Sequence, residues 1–324
     1  MQTPGEGSKQ YDFGEYSIER FGPSHYGLLK NLFFNAFNIR ISDKEIAKRY
    51  DTATLGLPVI GYIAVHKPTR VPAAYYGVFP CKALIKEQEI QIAQSGDTMT
   101  HKDHRRKGLF VELARSTYQE CEKLGVKLLF GQPNQYSYHG LVKTLKWKHL
   151  DQIARWDMKL KFKTFPLPKL SRFFGFLFQG YLKYAKFILK SSIVGDVSSF
   201  NNPYKNGPGK ILRDKHYLAY KKSDDKCFIK IQGVTIWIRL TDVLWIGDFD
   251  NYENITPHVL KKLRQFAFRL GYNTISINFN ENIPLPASLQ SFKKYQSQAS
   301  CFCYFDMAFN DQNLILTAAD SDTW

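Results

Sequence analysis

The most constraining feature of this sequence is a basic, glycine-containing turn between an apolar strand and an amphipathic helix. The turn is Arg105-Arg106-Lys107-Gly108. Residues 90–100 before it read as a strand, and apolar residues recur at helical spacing over 109–124. Gly125 ends that helix, and 126–130 reads as a second buried strand. The sequence therefore predicts a strand, basic turn, helix and strand in this order.

Such a turn has chemical consequences. The start of a helix offers unpaired backbone N–H groups and the positive end of the helix dipole, a combination that binds phosphate or pyrophosphate. Arg105, Arg106 and Lys107 add positive charge, and Gly108 has no Cβ to hold a ligand away from the backbone. An ordinary strand-to-helix connection with a solvated basic run is the alternative that spacing alone leaves open.

The turn resembles the R/Q-x-x-G-x-G/A signature of the GNAT superfamily of acyl-CoA N-acyltransferases. Segment 99–104 stands where that family has the end of its fourth strand, and 133–147 resembles its Asn-bearing segment and closing end. Two residues depart from the pattern: Phe110 stands where a small residue is usual, and Lys146 where glycine is common. The resemblance covers roughly residues 15–162.

The resemblance implies acetyl-CoA or another short acyl-CoA as co-substrate. It places the pantetheine arm along the strand end, where a backbone N–H polarises the thioester carbonyl, and the diphosphate on the turn. The implied cofactor-binding residues are Thr98, Met99, Thr100, Arg105, Arg106, Lys107, Gly108, Leu109, Phe110, Asn134, Tyr136 and Ser137. For Asn134 a helix N-cap is an equally good interpretation.

The resemblance also nominates catalytic residues. Tyr138 is the candidate general acid for the leaving thiolate, with Tyr136 as its rival and a packing role as the alternative for either. Asp97 is the candidate base, directly or through a water, although a satisfied carboxylate at a strand end is the simpler interpretation. His101 and His104 flank the turn.

The fold class predicted from these elements is α+β, with a GNAT-like, mostly antiparallel mixed sheet flanked by helices and a second, degenerate GNAT-like lobe. The second lobe repeats the strand–helix–strand order, but Ile255-Thr256-Pro257-His258 replaces the basic turn, so we expect it to lack a CoA cradle. The predicted divisions are a mobile tail (1–14), an acyl-CoA-binding domain (15–162), a basic aromatic linker (163–209), the degenerate domain (210–310) and a tail (311–324).

Two early helices form one wall of the acceptor cleft in the family. Ser24 is predicted to cap the first, over 27–34, and Ser42 with Glu45 forms a capping-box pattern before the second.

The linker carries no acidic residue between Met158 and Gly195, while lysines and aromatic residues recur through it. Its apolar runs are too short to span a bilayer. Peripheral membrane contact through residues 169–190 is one interpretation. We favour the other, in which a helix packs its aromatic face between two lobes.

The net charge of +16 favours polyanionic partners. We predict a nucleotide-linked amino sugar of the dTDP-3-amino-3,6-dideoxyhexose type as acceptor, in surface polysaccharide synthesis, because the motifs resemble GNAT proteins of that group. Aminoglycosides and polyamines are cationic and fit this charge less well. A non-catalytic module that binds nucleic acid or anionic lipid is the alternative from another class; we expect no nucleic-acid partner.

The five cysteines lack metal-site spacing, so no metal is expected. Cys301 and Cys303 read as reduced core thiols, and the absence of a signal-peptide pattern suggests the cytoplasm.

Overall fold

The computed structural model of the protein describes residues 10–195, 197–200, 209–306 and 314–321, with side chains over 296–306 outside the description. The predictions for residues 1–9, for the side chains of Cys301 and Cys303 and for residues 322–324 lie outside the described part. The chain divides into two compact units. Unit 1 comprises Met1–Ala83, Glu89–His149 and Cys303–Asp311, and unit 2 comprises Leu84–Gln88, Leu150–Phe302 and Gln312–Trp324.

The described strands are β1 (Gln10–Phe13), β2 (Tyr16–Arg20), β3 (Ile60–His66), β4 (Pro72–Ile85), β5 (Gln88–Thr100), β6 (Leu128–Gly131), β7 (Lys148–Lys159), β8 (Ile193–Val194), β9 (Gly209–Ile211), β10 (Lys226–Ile231), β11 (Val234–Leu240), β12 (Leu244–Phe249), β13 (Thr274–Asn280), β14 (Lys293–Asp306) and β15 (Leu314–Ile315). The described α-helices are α1 (Tyr26–Phe37), α2 (Asp43–Tyr50), α3 (Leu109–Lys123), α4 (Gln135–His139), α5 (Leu167–Phe173), α6 (Phe176–Leu189), α7 (Lys215–Lys221) and α8 (Pro257–Arg269).

Unit 1 is built on a mixed sheet with strand order β1-β2-β3-β4-β5-β6, beside which the end of β14 pairs with β6. The pairs β1–β2, β2–β3, β3–β4 and β6–β14 are antiparallel, and β5 and β6 are parallel. Helix α3 connects the two parallel strands, so the predicted strand–turn–helix–strand unit is observed within one residue of its predicted helix end. The basic turn therefore lies at the carboxyl end of β5.

Helices α1 and α2 pack against this sheet around Met99, Tyr50 and Tyr75. The predicted capping box at α2 is confirmed, because Ser42 Oγ accepts from the Glu45 amide at 3.3 Å while the Glu45 carboxylate accepts from the Ser42 amide at 2.9 Å. The prediction for Ser24 is wrong. Helix α1 begins at Tyr26, with His25 rather than Ser24 at its N-cap and no side-chain cap bond within the described chain.

Part of the stretch predicted as a mobile tail forms a strand. β1 pairs antiparallel with β2 over the four positions from Gln10–Glu19 to Phe13–Tyr16. The pairing supplies the backbone hydrogen bonds that a tail would lack.

Unit 2 has the strand order β7-β13-β12-β11-β10-β8. β12 and β13 are parallel and α8 connects them, which is the predicted repetition of the order in unit 1. Thr256 caps α8, its Oγ1 accepting from the Val259 amide at 3.3 Å. The corresponding helix start in unit 1 has no such cap, and this difference agrees with a second copy that lacks the cradle.

The observed division differs from the predicted one at two strands. The predicted acyl-CoA-binding domain (15–162) includes β7, but this strand pairs with β13 from Thr274–Lys159 to Asn280–Ile153 and most of it belongs to unit 2. The predicted degenerate domain (210–310) includes the end of β14, yet Cys303–Asp306 pairs with β6 in unit 1. Both differences arise because strand pairing is decided by long-range partners that the local pattern does not reveal.

A charged cluster lies in the core of unit 2. Arg213, which is 1% exposed, donates to Asp248 at 2.7 Å, to both carboxylate oxygens of Asp320 at 2.9 and 2.6 Å, and to Thr317 Oγ1 at 2.8 Å. The Tyr252 hydroxyl also donates to Asp248. Burial alone would lower the pKa of Arg213, but Asp320 and Asp248 outweigh it and raise that pKa. The guanidinium therefore stays charged and ties the segment at 314–321 to the core.

Across the described residues, no helix is long and apolar enough to cross a membrane.

Candidate active site

The centre of the candidate site is the point where two parallel strands stop pairing. The β5–β6 register runs from Ile92–Leu128 to Ser95–Gly131, where β6 ends, while β5 continues to Thr100. No described residue of β6 pairs with the last five residues of β5. An extended ligand with amide groups can pair with a strand edge of this kind.

Asp97 lies in this last part of β5 with a positive φ of 54°. Left-handed backbone costs a non-glycine residue roughly 1–2 kcal/mol, so the surroundings must hold it. The Asp97 carboxylate forms a bidentate ion pair with Arg49 (Nη2–Oδ1 2.6 Å) and accepts a hydrogen bond from the Tyr50 hydroxyl at 2.9 Å. Asp97 is thus a satisfied carboxylate that fixes α2 to the bend in β5.

Of the predicted pantetheine-binding residues, Met99 is 2% exposed and its side chain packs in the core under α1 and α2. Thr98 and Thr100 are partly exposed. The side chain of Met99 is therefore closed to a ligand, whereas the threonines on either side reach the surface in part.

The turn before α3 combines exposed basic side chains with left-handed backbone. Arg105, Arg106, Lys107 and Gly108 are all exposed, and φ is 62° at Arg106 and 77° at Gly108. In the described chain no side chain caps the N-terminus of α3. A helix start without a side-chain cap is the kind of position at which an anion can bind. Leu109 is 1% exposed, so its side chain belongs to the core rather than to the surface of the turn.

Gly108 is required by its backbone angle rather than by crowding. A Cβ built there would lie 3.6 Å from the Phe13 ring, an ordinary contact. A left-handed φ is what disfavours any other residue.

Phe110, which departs from the family pattern, is accommodated by a small partner. Its ring lies edge-on to Tyr76, with centroids 5.7 Å apart, and a Cβ at Gly140 would come within 2.7 Å of it. The large ring at position 110 therefore requires a residue without a side chain at position 140.

A buried chain of hydroxyl groups lies at the end of the β5–β6 pairing, and the sequence analysis missed it. Ser95 Oγ donates to the Tyr76 hydroxyl at 3.0 Å, Tyr76 and Tyr118 hydroxyls lie 3.0 Å apart, and Trp147 Nε1 donates to Tyr118 at 2.8 Å. Burial raises the pKa of Tyr76 to about 12. The tyrosine hydroxyls therefore stay protonated, and their hydrogen bonds connect β4, β5, α3 and the segment after α4.

The segment after β6 forms α4. Asn134 is its N-cap, with Oδ1 accepting from the amides of Tyr136 (2.9 Å) and Ser137 (3.1 Å). The side-chain oxygen of Asn134 thus has the capping role that the sequence left open. Tyr136 is 85% exposed, whereas Tyr138 is half-buried and its hydroxyl lies 3.1 Å from His149 Nδ1. The two candidate acids therefore differ: among the described residues, the Tyr138 hydroxyl has an imidazole within hydrogen-bond distance, while Tyr136 projects into solvent.

Three histidines gather directly before the turn. Ring centroids of His66 and His104 are 4.9 Å apart and those of His101 and His104 are 5.3 Å apart, while the Tyr16 hydroxyl lies 3.0 Å from His104 Nδ1. Burial lowers the pKa of His104, and the neighbouring His66 and His101 lower it further. The sequence suggested the proximity of two of these residues; His66 comes from β3.

This cluster predicts a pH-dependent stability. Because the pKa of His104 is lower in the folded chain than its ordinary 6.5, the unfolded chain binds that proton more tightly. The contribution is complete above about 6.5 and is lost as pH falls through the folded pKa. We expect the urea midpoint to fall between pH 7 and pH 5, and less steeply in His104→Asn. Equal slopes for the two proteins would contradict this assignment.

Comparison with known proteins agrees with this geometry. Residues 32–142 match the family model of the acetyltransferase (GNAT) domain. The matched stretch includes every site residue predicted above, from Asp97 to Tyr138. A GNAT domain implies acyl-CoA as co-substrate, and the match supports an acyl-transferring enzyme.

Solved structures share the fold over most of the chain. A GCN5-related N-acetyltransferase from Anabaena variabilis is 13% identical, with a TM-score of 0.55 and coverage of 89% of this chain and 72% of that one. A GCN5-related N-acetyltransferase from Kribbella flavida is 8% identical, with a TM-score of 0.55 and coverage of 89% of this chain and 70% of that one. A conserved protein of unknown function from Enterococcus faecalis is 11% identical, with a TM-score of 0.58 and coverage of 90% of this chain and 72% of that one. No curated protein sequence matches this chain.

Proposed function

We propose that the protein transfers an acetyl or short hydroxyacyl group from acyl-CoA to the amine of a nucleotide-linked amino sugar. The observation that carries the acyl-CoA part is the uncapped, left-handed basic turn at the start of α3, beside the strand end where β5 loses its partner β6. The turn would hold the diphosphate of CoA. The backbone of 98–100 would pair with the amides of its pantetheine arm.

The reaction needs one bond made and one broken. The neutral amine attacks the thioester carbonyl carbon, the carbonyl oxygen takes up negative charge near a backbone N–H of β5, and the carbon–sulfur bond then breaks. Tyr138 donates its proton to the departing thiolate of CoA, and His149, 3.1 Å away, can return one. The proton that leaves the amine goes to water.

Asp97 has a positioning role in this scheme. Taking a proton would break its bidentate pair with Arg49, which is among the stronger side-chain interactions. Its contacts instead hold the left-handed bend that sets the direction of the following peptide groups. We therefore propose that Asp97 shapes the carbonyl-binding backbone and that the base is a water.

Support for a nucleotide-linked acceptor comes from charge and from α1. The net charge is +16, and α1, which covers Met99, carries Phe34 with 47% of its surface exposed. The Arg40 guanidinium lies over that ring at 5.4 Å. An exposed ring stacked with a cation suits a base and its phosphate.

A thiol-release assay tests the proposal. Acetyl-CoA is mixed with dTDP- and UDP-linked amino sugars, and with aminoglycosides and polyamines as alternative acceptors. We expect CoA release with one or more nucleotide sugars. Release only with the cationic amines would overturn the acceptor, and no binding of acetyl-CoA by calorimetry would overturn the enzyme itself.

A pair of glycine variants isolates the cradle. Gly108 and Gly125 flank the two ends of α3 with φ of 77° and 76°, and neither position is crowded. Alanine at either should cost a similar roughly 1–2 kcal/mol of stability. Only Gly108→Ala should weaken acetyl-CoA binding, by about tenfold, since it disturbs the N–H groups at the turn. Equal affinities in calorimetry would show that the turn does not hold the cofactor.

A further inference from the structure

The linker helices leave large aromatic side chains on the surface of unit 2. Exposed fractions are 82% for Phe173, 80% for Phe176 and 74% for Phe187. The interpretation favoured from the sequence, an aromatic face packed inside the protein, is therefore wrong for these three residues. Large apolar side chains that are exposed together can mark an interaction site.

Helix α6 divides cleanly into two faces. Tyr181, Leu182, Ala185 and Leu189 are buried in the core of unit 2. The opposite face, at helical spacing, carries Phe176, Lys183, Phe187 and Lys190. Aromatic and cationic side chains thus alternate along the outer face of a helix that is already anchored by its inner face.

The connection from α5 to α6 continues this surface. Phe173 ends α5 and Phe174 follows it, with ring centroids 5.2 Å apart, and Phe176 begins α6 after Gly175. Three phenylalanines within four residues therefore sit at the tip of a helical hairpin, with Phe174 46% exposed. We call Phe173, Phe174, Phe176, Lys183, Phe187 and Lys190 the hairpin patch.

The positive charge around these helices indicates which kind of partner fits the patch. From Met158 to Gly195 the chain has no acidic residue, and the lysines at 161, 163, 169, 183 and 190 are exposed. A protein partner selects particular pockets, whereas an anionic bilayer needs only apolar wedges and several cations on one side. The helices are too short and polar to cross a membrane.

We propose that the hairpin patch docks the protein on an anionic phospholipid surface, with the phenylalanines in the headgroup–acyl boundary and the lysines at the headgroups. The two contributions are complementary, because neither a few rings nor a few charges alone gives firm attachment. This inference does not depend on the proposed acyl transfer.

Sedimentation with vesicles tests it. The full-length protein is mixed with vesicles of phosphatidylcholine alone or of phosphatidylcholine and phosphatidylglycerol at about three to one. We expect binding to the anionic vesicles at least tenfold tighter than to the neutral ones, since each lysine near such a surface contributes about fivefold. Raising the salt from about 0.1 M to 0.5 M should weaken it, as screening shortens the reach of the charges.

Matched variants separate the two contributions. Phe173→Ser/Phe176→Ser should weaken binding at least tenfold, while Phe37→Ser, an exposed ring on α1 (46%), should not. Lys183→Glu/Lys190→Glu should abolish the preference for anionic lipid, while Lys123→Glu/Lys127→Glu, the same charge change at exposed positions of unit 1, should keep most of it. Circular dichroism checks that each variant is folded.

Three results would overturn the proposal. They are no sedimentation with anionic vesicles at low salt, equal loss in patch and control variants, and a dimer in ultracentrifugation that the patch variants dissociate while vesicle binding is absent. The last result would assign the surface to self-association instead.

Discussion

Replacement of Arg213 by methionine should lower the free energy of unfolding by about 3–5 kcal/mol, because it leaves Asp248 and Asp320 buried without their cation. Arg213 is the single positive centre of a cluster in which both carboxylates are 0% exposed at their side chains. Urea denaturation followed by circular dichroism measures the change.

Two further variants define the cause. Arg239→Met removes a partly exposed partner of Asp225 (29% and 17% exposed) and should cost about 1 kcal/mol or less. Arg213→Met/Asp248→Asn/Asp320→Asn should recover part of the loss, since the uncompensated charges are gone. If Arg213→Met is no worse than Arg239→Met, the buried cluster does not contribute as described.

The second large effect is expected at Tyr138. Tyr138→Phe should lower kcat at least tenfold with little change in KM, because a general acid acts in the transition state and contributes about 10²–10⁴-fold in typical cases. The hydroxyl also meets His149, so thermal unfolding of the variant must be compared first.

Tyr136→Phe is the matched control. It makes the same change two residues away on the same short helix, at a side chain that is 85% exposed. We expect its kcat to stay within about twofold of the starting protein, well short of a general-acid effect. A fall in kcat for Tyr136→Phe with none for Tyr138→Phe would assign the general acid to Tyr136 instead.

The sequence was informative where structure is set locally. The turn at Gly108, the start of α3 at Leu109 and the capping box at Ser42 follow from residues within a few positions of one another, and each is observed. The parallel pairing of β5 with β6 follows from the crossover helix between them.

Long-range partners account for what the sequence did not reveal. The Tyr76–Tyr118 hydroxyl pair joins residues 42 positions apart, and the Arg213–Asp320 pair joins residues 107 apart. No local periodicity encodes such pairs. The surface exposure of Phe173 was missed for a related reason: an aromatic run looks the same whether a core, a partner or a bilayer receives it.

The position of Asp320 bears on how the chain matures. Unit 2 cannot neutralise Arg213 fully until residue 320 has left the ribosome, more than a hundred residues after the arginine itself emerges. During that interval the guanidinium must remain hydrated, which keeps the surrounding apolar residues from closing over it. Final compaction of this half therefore waits for the segment that carries Asp320.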